Sequence, residues 1–163
     1  PVSTVVVQDA NIFIDLQIGQ VLNNAFQMNC IFHTTDAVLD EVEDRLDDYA
    51  DRGLLRVKVM SGDELLDVAI LKNQQPRRIS FEDCTLLKLA DHLKAIMLTG
   101  DGNLRFCAES MGLEVRGTLW VLDNMIESHL ISPKQACVAL QKMMSAGRRL
   151  PADECQIRLR RWA

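Results

Sequence analysis

The stretch Thr4-Val-Val-Val-Gln-Asp-Ala-Asn-Ile-Phe-Ile-Asp15 decides the fold. It opens with a short apolar run, which is typical of a buried parallel strand. Asp9 stands where that strand should end, and a helical pattern of apolar residues follows at positions 12, 16, 19, 21 and 22. The sequence therefore predicts a carboxylate at the carboxyl end of the first strand, the edge at which open α/β sheets bind their ligands.

Bulk properties indicate a soluble globular protein. The 163 residues are 48% hydrophobic and 25% charged, and we expect one domain over residues 1–163, with a core at about 4–118 and a helical extension at about 119–163. No apolar run reaches the ~20 residues that span a bilayer, and Pro1-Val-Ser-Thr does not resemble a signal peptide. The five cysteines are odd in number and form no C-x-x-C, which favours buried reduced thiols in the cytoplasm over zinc or disulfides.

Charge is distributed unevenly along the chain. Residues 1–133 contain 11 Lys and Arg against 21 Asp and Glu, whereas residues 134–163 contain 7 against 2. A protein that holds nucleic acid by bulk electrostatics has a basic surface, whereas the body of this chain is acidic. A nucleic-acid substrate would need metal ions and a local basic patch for its attraction.

Strand and helix patterns alternate along the chain. Expected strands cover residues 4–8, 28–35, 54–60, 94–99 and 113–116; expected helices cover residues 11–24, 36–46, 61–73, 80–93, 103–111, 117–129, 132–146 and 152–162. This alternation predicts an α/β fold, a three-layer α/β/α sandwich with a central parallel sheet of about five strands and extra C-terminal helices.

Four acids are expected at the carboxyl edge of this sheet. Asp9 ends the first strand, Glu41 lies about two turns into the helix after the second, Asp83 lies in the first turn of the helix before the fourth, and Asp101 follows the fourth strand. Clustered carboxylates stay ionised together only if a cation neutralises them. Oxygen ligands without His or Cys suit Mg²⁺ or Mn²⁺.

Each acid also has a purely structural interpretation. Asp9 and Asp101 suit helix N-caps, Asp83 suits the third position of a capping box begun by Ser80, and Glu41 suits a solvated acid among acidic neighbours. Helix capping gives no reason for four acids to gather at one edge of a sheet, so we favour the functional interpretation.

The motifs Val5-Val-Val-Gln-Asp9-Ala-Asn11, Val38-Leu-Asp-Glu41, Ser80-Phe-Glu-Asp83 and Leu98-Thr-Gly-Asp101-Gly-Asn103 resemble those of the PIN-domain nucleases, especially the VapC-like toxin branch. The resemblance covers residues 4 to about 118. It implies a metal-dependent endoribonuclease whose acidic quartet is Asp9, Glu41, Asp83 and Asp101. It implies that these four hold Mg²⁺ or Mn²⁺ against the scissile phosphate, with Asp9 and Asp101 as the main ligands.

The resemblance extends to residues beside the quartet. Asn11 and Thr99 match supporting polar positions of the family, whereas Asn103 replaces a frequent second acid. A cognate antitoxin with a basic segment and a homodimer formed through the helices after strands two and three are the partners that it implies.

Basic residues are candidates for RNA contacts. Arg77 and Arg78 precede the Asp83 helix in the sequence and could reach a substrate phosphate, although a solvated loop is an equally good interpretation. For the arginines of the tail we favour neutralisation of the acidic body over nucleic-acid binding; they are Arg148, Arg149, Arg158, Arg160 and Arg161.

Two other classes of protein also fit a parallel α/β pattern. A degenerate PIN domain that binds RNA or protein without catalysis is supported by Asn103 alone. A phospho-acceptor receiver or a dehalogenase-type phosphotransferase would need paired acids after strand one, a suitably placed Lys, or Asp-x-Asp. Asp9-Ala-Asn11 departs from these requirements.

Overall fold

The computed structural model describes residues 3–42 and 46–163. Its sheet consists of five parallel strands in the order β3-β2-β1-β4-β5. The strands are β1 (Thr4–Gln8), β2 (Cys30–Thr35), β3 (Leu55–Lys58), β4 (Ile96–Leu98) and β5 (Val115–Arg116).

Helices connect and cover these strands. In the described ranges they are α1 (Ala10–Ile18), α2 (Leu22–Ala25), α3 (Asp36–Leu39), α4 (Asp47–Asp51), α5 (Gly62–Asn73), α6 (Phe81–Leu93), α7 (Gly102–Ser110), α8 (Thr118–Glu127), α9 (Pro133–Ser145) and α10 (Ala152–Trp162). α5 and α6 pack together, as do α1, α8 and α9. The fold is the three-layer α/β/α sandwich that the alternating pattern predicts.

β1 lies at the centre of the sheet and explains where a site can form. Its residues Val6 and Val7 are fully buried, and Val6 pairs with Phe32 of β2 on one side and with Ile96 of β4 on the other. The chain proceeds outward from β1 through β2 and β3 and then crosses back to β4. This reversal leaves a crevice at the carboxyl ends of β1 and β4, where ligands bind in open α/β sheets.

Two predicted helices are shorter than their apolar patterns indicate. The helix expected at residues 11–24 divides into α1 and α2, because the intervening Gln20 has a positive φ of 59°. The helix expected at residues 36–46 ends at Leu39. Val42 and Leu46 are nevertheless buried, so the apolar spacing at these positions reflects contact with the core and not a continuous helix. Residues 43–45, which the prediction included, lie outside the described residues.

The other boundaries differ from the expectations by a few residues. β3, β4 and β5 are shorter than predicted, and Lys94, expected to begin β4, adopts a left-handed conformation after α6. Helix α4 is not anticipated by the sequence pattern. Four of the five cysteines are buried, as expected, and Cys30 is half-buried.

The C-terminal helices pack against the first one. Gly19, after α1, lies so close to α9 that a Cβ atom there would be 2.6 Å from the Met143 methyl carbon. On α10, Arg158 forms a bidentate ion pair with Asp123 of α8. In the part of the chain that the structure describes, we find no helix long and apolar enough to cross a membrane.

Candidate active site

Asp9 occupies the crevice at the centre of the sheet. Its side chain is 3% exposed, and its Oδ1 accepts a hydrogen bond of 3.1 Å from the Ile12 N–H, so it caps α1. Its Oδ2 accepts a hydrogen bond from the Thr99 hydroxyl. The pKa of Asp9 is raised to about 6, because burial and, less strongly, the charge of Asp83 raise it by more than these hydrogen bonds lower it.

The end of β4 brings a second acid to the same crevice. The sheet register pairs Gln8 with Leu98, and the Asp9 N–H donates to the Leu98 carbonyl at 3.0 Å. Thr99 follows Leu98 and is fully buried. Its hydroxyl accepts the Asp101 N–H at 3.1 Å while donating to Asp9. Thr99 thus connects the two loops that carry the predicted acids.

Asp101 is solvent-exposed and caps α7. Its Oδ1 accepts the Leu104 N–H at 2.8 Å. The capping interpretation is therefore correct for both Asp9 and Asp101. It does not exclude function, because in each case capping uses a single hydrogen bond to one carboxylate oxygen.

Asp83 interacts electrostatically with the other three predicted acids. Burial raises the pKa of its carboxyl, hydrogen bonds with Ser80 lower it, and the charge of Asp101 raises it. The charge of Asp83 in turn raises the pKa of Asp9. The pKa of Glu41 is raised by burial, by the charge of Glu82 and, third, by the charge of Asp83. Asp83 is thus the acid through which the charges of Asp9, Glu41 and Asp101 interact, and Glu82 is a further acid beside it that the motif analysis did not select.

Glu41 lies differently from its predicted position. Instead of standing two turns into a helix, it lies in the turn after α3, with an exposed side chain. Its electrostatic interaction with Glu82 and Asp83 still connects it to the crevice.

The carboxylates do not form a preformed metal cage. Within residues 3–42 and 46–163, no three Asp, Glu, His or Cys side chains are grouped closely enough to hold a metal ion as they stand. The chemistry of the donor set nevertheless fits a hard divalent cation: oxygen ligands, one deeply buried, whose charges repel one another.

A buried polar network beside the crevice was missed by the sequence analysis. Asp15 of α1 is 4% exposed, accepts the Thr118 hydroxyl at 2.7 Å, and forms an ion pair of 2.6 Å with Arg148. Arg148 also donates to the Asn11 side-chain carbonyl at 3.2 Å. Asn11, predicted as a supporting residue, is therefore bonded to the C-terminal part of the chain.

The predicted basic residues and Asn103 meet on the other side of α7. The Asn103 amide donates to the Arg78 carbonyl at 3.3 Å, and the Arg77 guanidinium lies 4.4 Å from the centre of the Phe106 ring. Both arginines are exposed. Asn103 thus holds the loop of Arg77 and Arg78 against α7. An ionised acid at this position has no N–H to donate and could not form this hydrogen bond.

An open cavity of about 450 Å³ adjoins Asp101. Its walls come from the start of α1, the start of α7 and the turn between α9 and α10; they include Asn11, Asp101, Gly147, Arg148 and Arg149. Acidic and basic groups therefore line the same space, whose volume lies in the range of small-molecule sites.

A parallel sheet whose order reverses at a central strand, with Asp9 and Asp101 after the two strands beside that reversal, is typical of an α/β protein of the PIN type. The chain belongs to the PIN-domain nuclease family: the family model described as DUF3368, PIN domain, matches residues 5–163. No curated protein matches the chain.

Solved structures with a similar fold include a PilT N-terminus domain protein, SSO1118, from the hyperthermophilic archaeon Sulfolobus solfataricus P2. The identity is 16% and the TM-score 0.49, over 76% of this chain and 95% of that one.

Proposed function

We propose that this protein is a metal-dependent endoribonuclease, formed as a single domain by residues 1–163. Asp9, Glu41, Asp83 and Asp101 would be its acidic quartet. The observation that carries the proposal is electrostatic: Asp83 raises the pKa of Asp9 and Glu41, and Asp101 raises that of Asp83. A fold gains nothing from such mutual repulsion, whereas a cation converts it into affinity.

The quartet would hold Mg²⁺ or Mn²⁺, with Asp9 and Asp101 as main ligands and Asp83 and Glu41 completing the site. Because the described side chains are not grouped into a cage, binding requires rearrangement around Asp9. When bound, such an ion supplies a more acidic water and neutralises charge on the phosphate.

The protein's own contribution is to fix the position and charge of these groups. Thr99 and the Ile12 N–H hold both oxygens of Asp9, so this carboxylate has little rotational freedom. The Thr99 hydroxyl also orients the loop of Asp101, because it accepts a hydrogen bond from the Asp101 main-chain N–H. The exposed Arg77 and Arg78, anchored to α7 through Phe106 and Asn103, are candidates to contact the RNA backbone.

The biological role that we propose is that of a toxin in a toxin–antitoxin pair, acting in the cytoplasm. Residues 1–133 carry ten more acids than bases. An antitoxin with a basic segment would complement the acidic crevice, and its cations would compete with the metal.

The proposal is tested by replacing the central acids. Asp9→Asn and Asp101→Asn should each reduce Mn²⁺-dependent cleavage of RNA by at least about 100-fold, because each removes a charge that the cation requires. Asp63→Asn, an exposed acid in the first turn of α5, is the matched control and should cleave like wild type. Cleavage by a folded, purified Asp9→Asn protein at the wild-type rate would contradict the assignment.

A PIN domain that binds without catalysis is the second candidate, favoured by the lack of a preformed metal cage among the described residues. Thermal unfolding during Mn²⁺ titration separates the two. A catalytic site should bind Mn²⁺ and raise Tm in the wild type but not in Asp9→Asn. A Tm independent of Mn²⁺ would favour the binding module.

A further inference from the structure

The cavity beside Asp101 receives two consecutive arginines from the turn between α9 and α10. This turn begins with Gly147, whose φ of +76° is strained for residues other than glycine. Arg148 and Arg149 follow and both line the cavity. They belong to the C-terminal extension, outside the motifs that identify the acidic quartet.

Arg148 fixes the position of this turn. Its Nε lies 2.6 Å from Asp15 Oδ1, and its Nη2 lies 3.2 Å from Asn11 Oδ1. The Asp15 side chain is only 6% exposed and that of Arg148 is 24% exposed, so solvent screens this pair weakly. The turn between α9 and α10 is therefore attached to α1 through Asp15 and Asn11, and Asn11 lies two positions after Asp9.

Arg149 differs from its basic neighbours in its environment. It is exposed and, unlike Arg148, Arg158 and Arg161, it takes part in no ion pair found within residues 3–42 and 46–163. Three of the five tail arginines thus pair with acids of the body, and of the two exposed arginines outside these pairs, Arg149 and Arg160, only Arg149 lines the cavity. A guanidinium held beside an acidic crevice without an ion pair is suited to a ligand that brings its own negative charge.

We propose that Arg149 forms a phosphate-binding subsite for the substrate RNA in this cavity. The inference rests on the proposed function, because it takes RNA as the ligand. A phosphodiester group entering the cavity would meet both Arg149 and Asp101, which line it, and the cation of the proposed function would neutralise Asp101. A guanidinium group can donate two parallel hydrogen bonds to two phosphate oxygens. Arg148 does not take this role because it is paired with Asp15.

The experiment measures binding rather than cleavage. Fluorescence anisotropy of a labelled single-stranded RNA is followed against salt concentration in Ca²⁺, a hard cation for oxygen ligands that replaces Mn²⁺ here, with Asp9 unchanged in every protein and the RNA verified as uncleaved on a gel. Arg149→Ala, Arg149→Lys and the control Arg160→Ala are compared. Arg160 is an equally exposed arginine of the same tail, and it does not line the cavity.

Arg149→Ala should weaken binding about tenfold and reduce the slope of log K against log salt by about 0.7, the value for one phosphate contact on a single strand. Arg149→Lys should keep the slope, because it keeps the charge. Arg160→Ala should change neither quantity. An Arg149→Ala protein with unchanged affinity and slope overturns the subsite, as does an equal loss in Arg160→Ala or an absence of RNA binding in the parent protein.

Failure of the proposed function gives a different result. If the protein with Asp9 intact does not cleave RNA but the loss specific to Arg149→Ala persists, the nuclease assignment fails and the subsite stands. If RNA is cleaved and Arg149→Ala binds like its parent, the subsite alone fails.

Discussion

Asp9 combines a structural and a chemical role in one side chain. As the N-cap of α1 it accepts a main-chain N–H, and as the most buried of the four acids it has a pKa raised to about 6. Capping favours the ionised form, whereas burial opposes it and is the larger effect. The result is a fixed carboxylate whose charge is unfavourable until a cation approaches.

This raised pKa makes the stability of the metal-free protein dependent on pH. The unfolded chain has a pKa near the ordinary 3.8, and the folded protein holds its proton up to about 6. Protonated Asp9 therefore contributes a stabilisation of the folded state that is complete below pH 3.8 and is lost as pH rises through 6. The free energy of unfolding changes by roughly 3 kcal/mol through this group.

Asp9→Asn should lack this contribution. Relative to wild type, the variant should gain stability as pH increases from 4 to 7, by up to roughly 3 kcal/mol. Urea unfolding of both proteins in EDTA measures the difference, and the shared contributions of the other acids cancel in it. A difference that stays constant over this pH range would contradict the raised pKa of Asp9.

At the scale of elements, one buried ion pair joins three helical segments. Asp15 belongs to α1, Thr118 begins α8, and Arg148 lies between α9 and α10. Removal of one partner from a buried pair leaves an uncompensated charge, which costs more than the pair itself contributes.

Arg148→Ala should therefore destabilise the protein by about 3–5 kcal/mol. Arg52→Ala is the control: its pair with Asp48 has side chains 53% and 74% exposed, and its loss should cost at most about 1 kcal/mol. Chemical unfolding gives both values. Adding Asp15→Asn to Arg148→Ala should restore part of the stability, and a failure to do so would mean that the unpaired charge is not the cause.

At the scale of the whole molecule, the sequence predicts those features that are set by residues close to one another along the chain. Apolar runs followed by Asp9 and Asp101 locate the ends of β1 and β4, and parallel topology brings these ends together. The position of Glu41 was wrong because the apolar spacing of Val38, Val42 and Leu46 reflects burial in the core and not a continuous helix. The Asp15–Arg148 pair was missed because its partners are 133 positions apart and no local pattern connects them.

The surface of the molecule indicates how two copies would associate. Of the two helices that the sequence suggested as dimer surfaces, α3 is a short helix whose Val38 is buried. In contrast, α5 exposes Leu66 and Ile70 by 66% and 57%, and Val59, between β3 and α5, is 68% exposed. Leu66 and Ile70 are four positions apart and share one helix face. Exposed apolar side chains that share one helix face are typical of an interaction surface.

We therefore expect a homodimer formed through α5. Sedimentation velocity at micromolar concentration should show a dimer for wild type and a monomer for the double variant Leu66→Glu and Ile70→Glu, because association would bury the new carboxylates without partners. Val138→Glu with Ile157→Glu is the matched control, since these residues are 47% and 50% exposed on α9 and α10. This control should stay dimeric. A monomeric wild type, or equal dissociation of both double variants, would exclude α5 as the dimer interface.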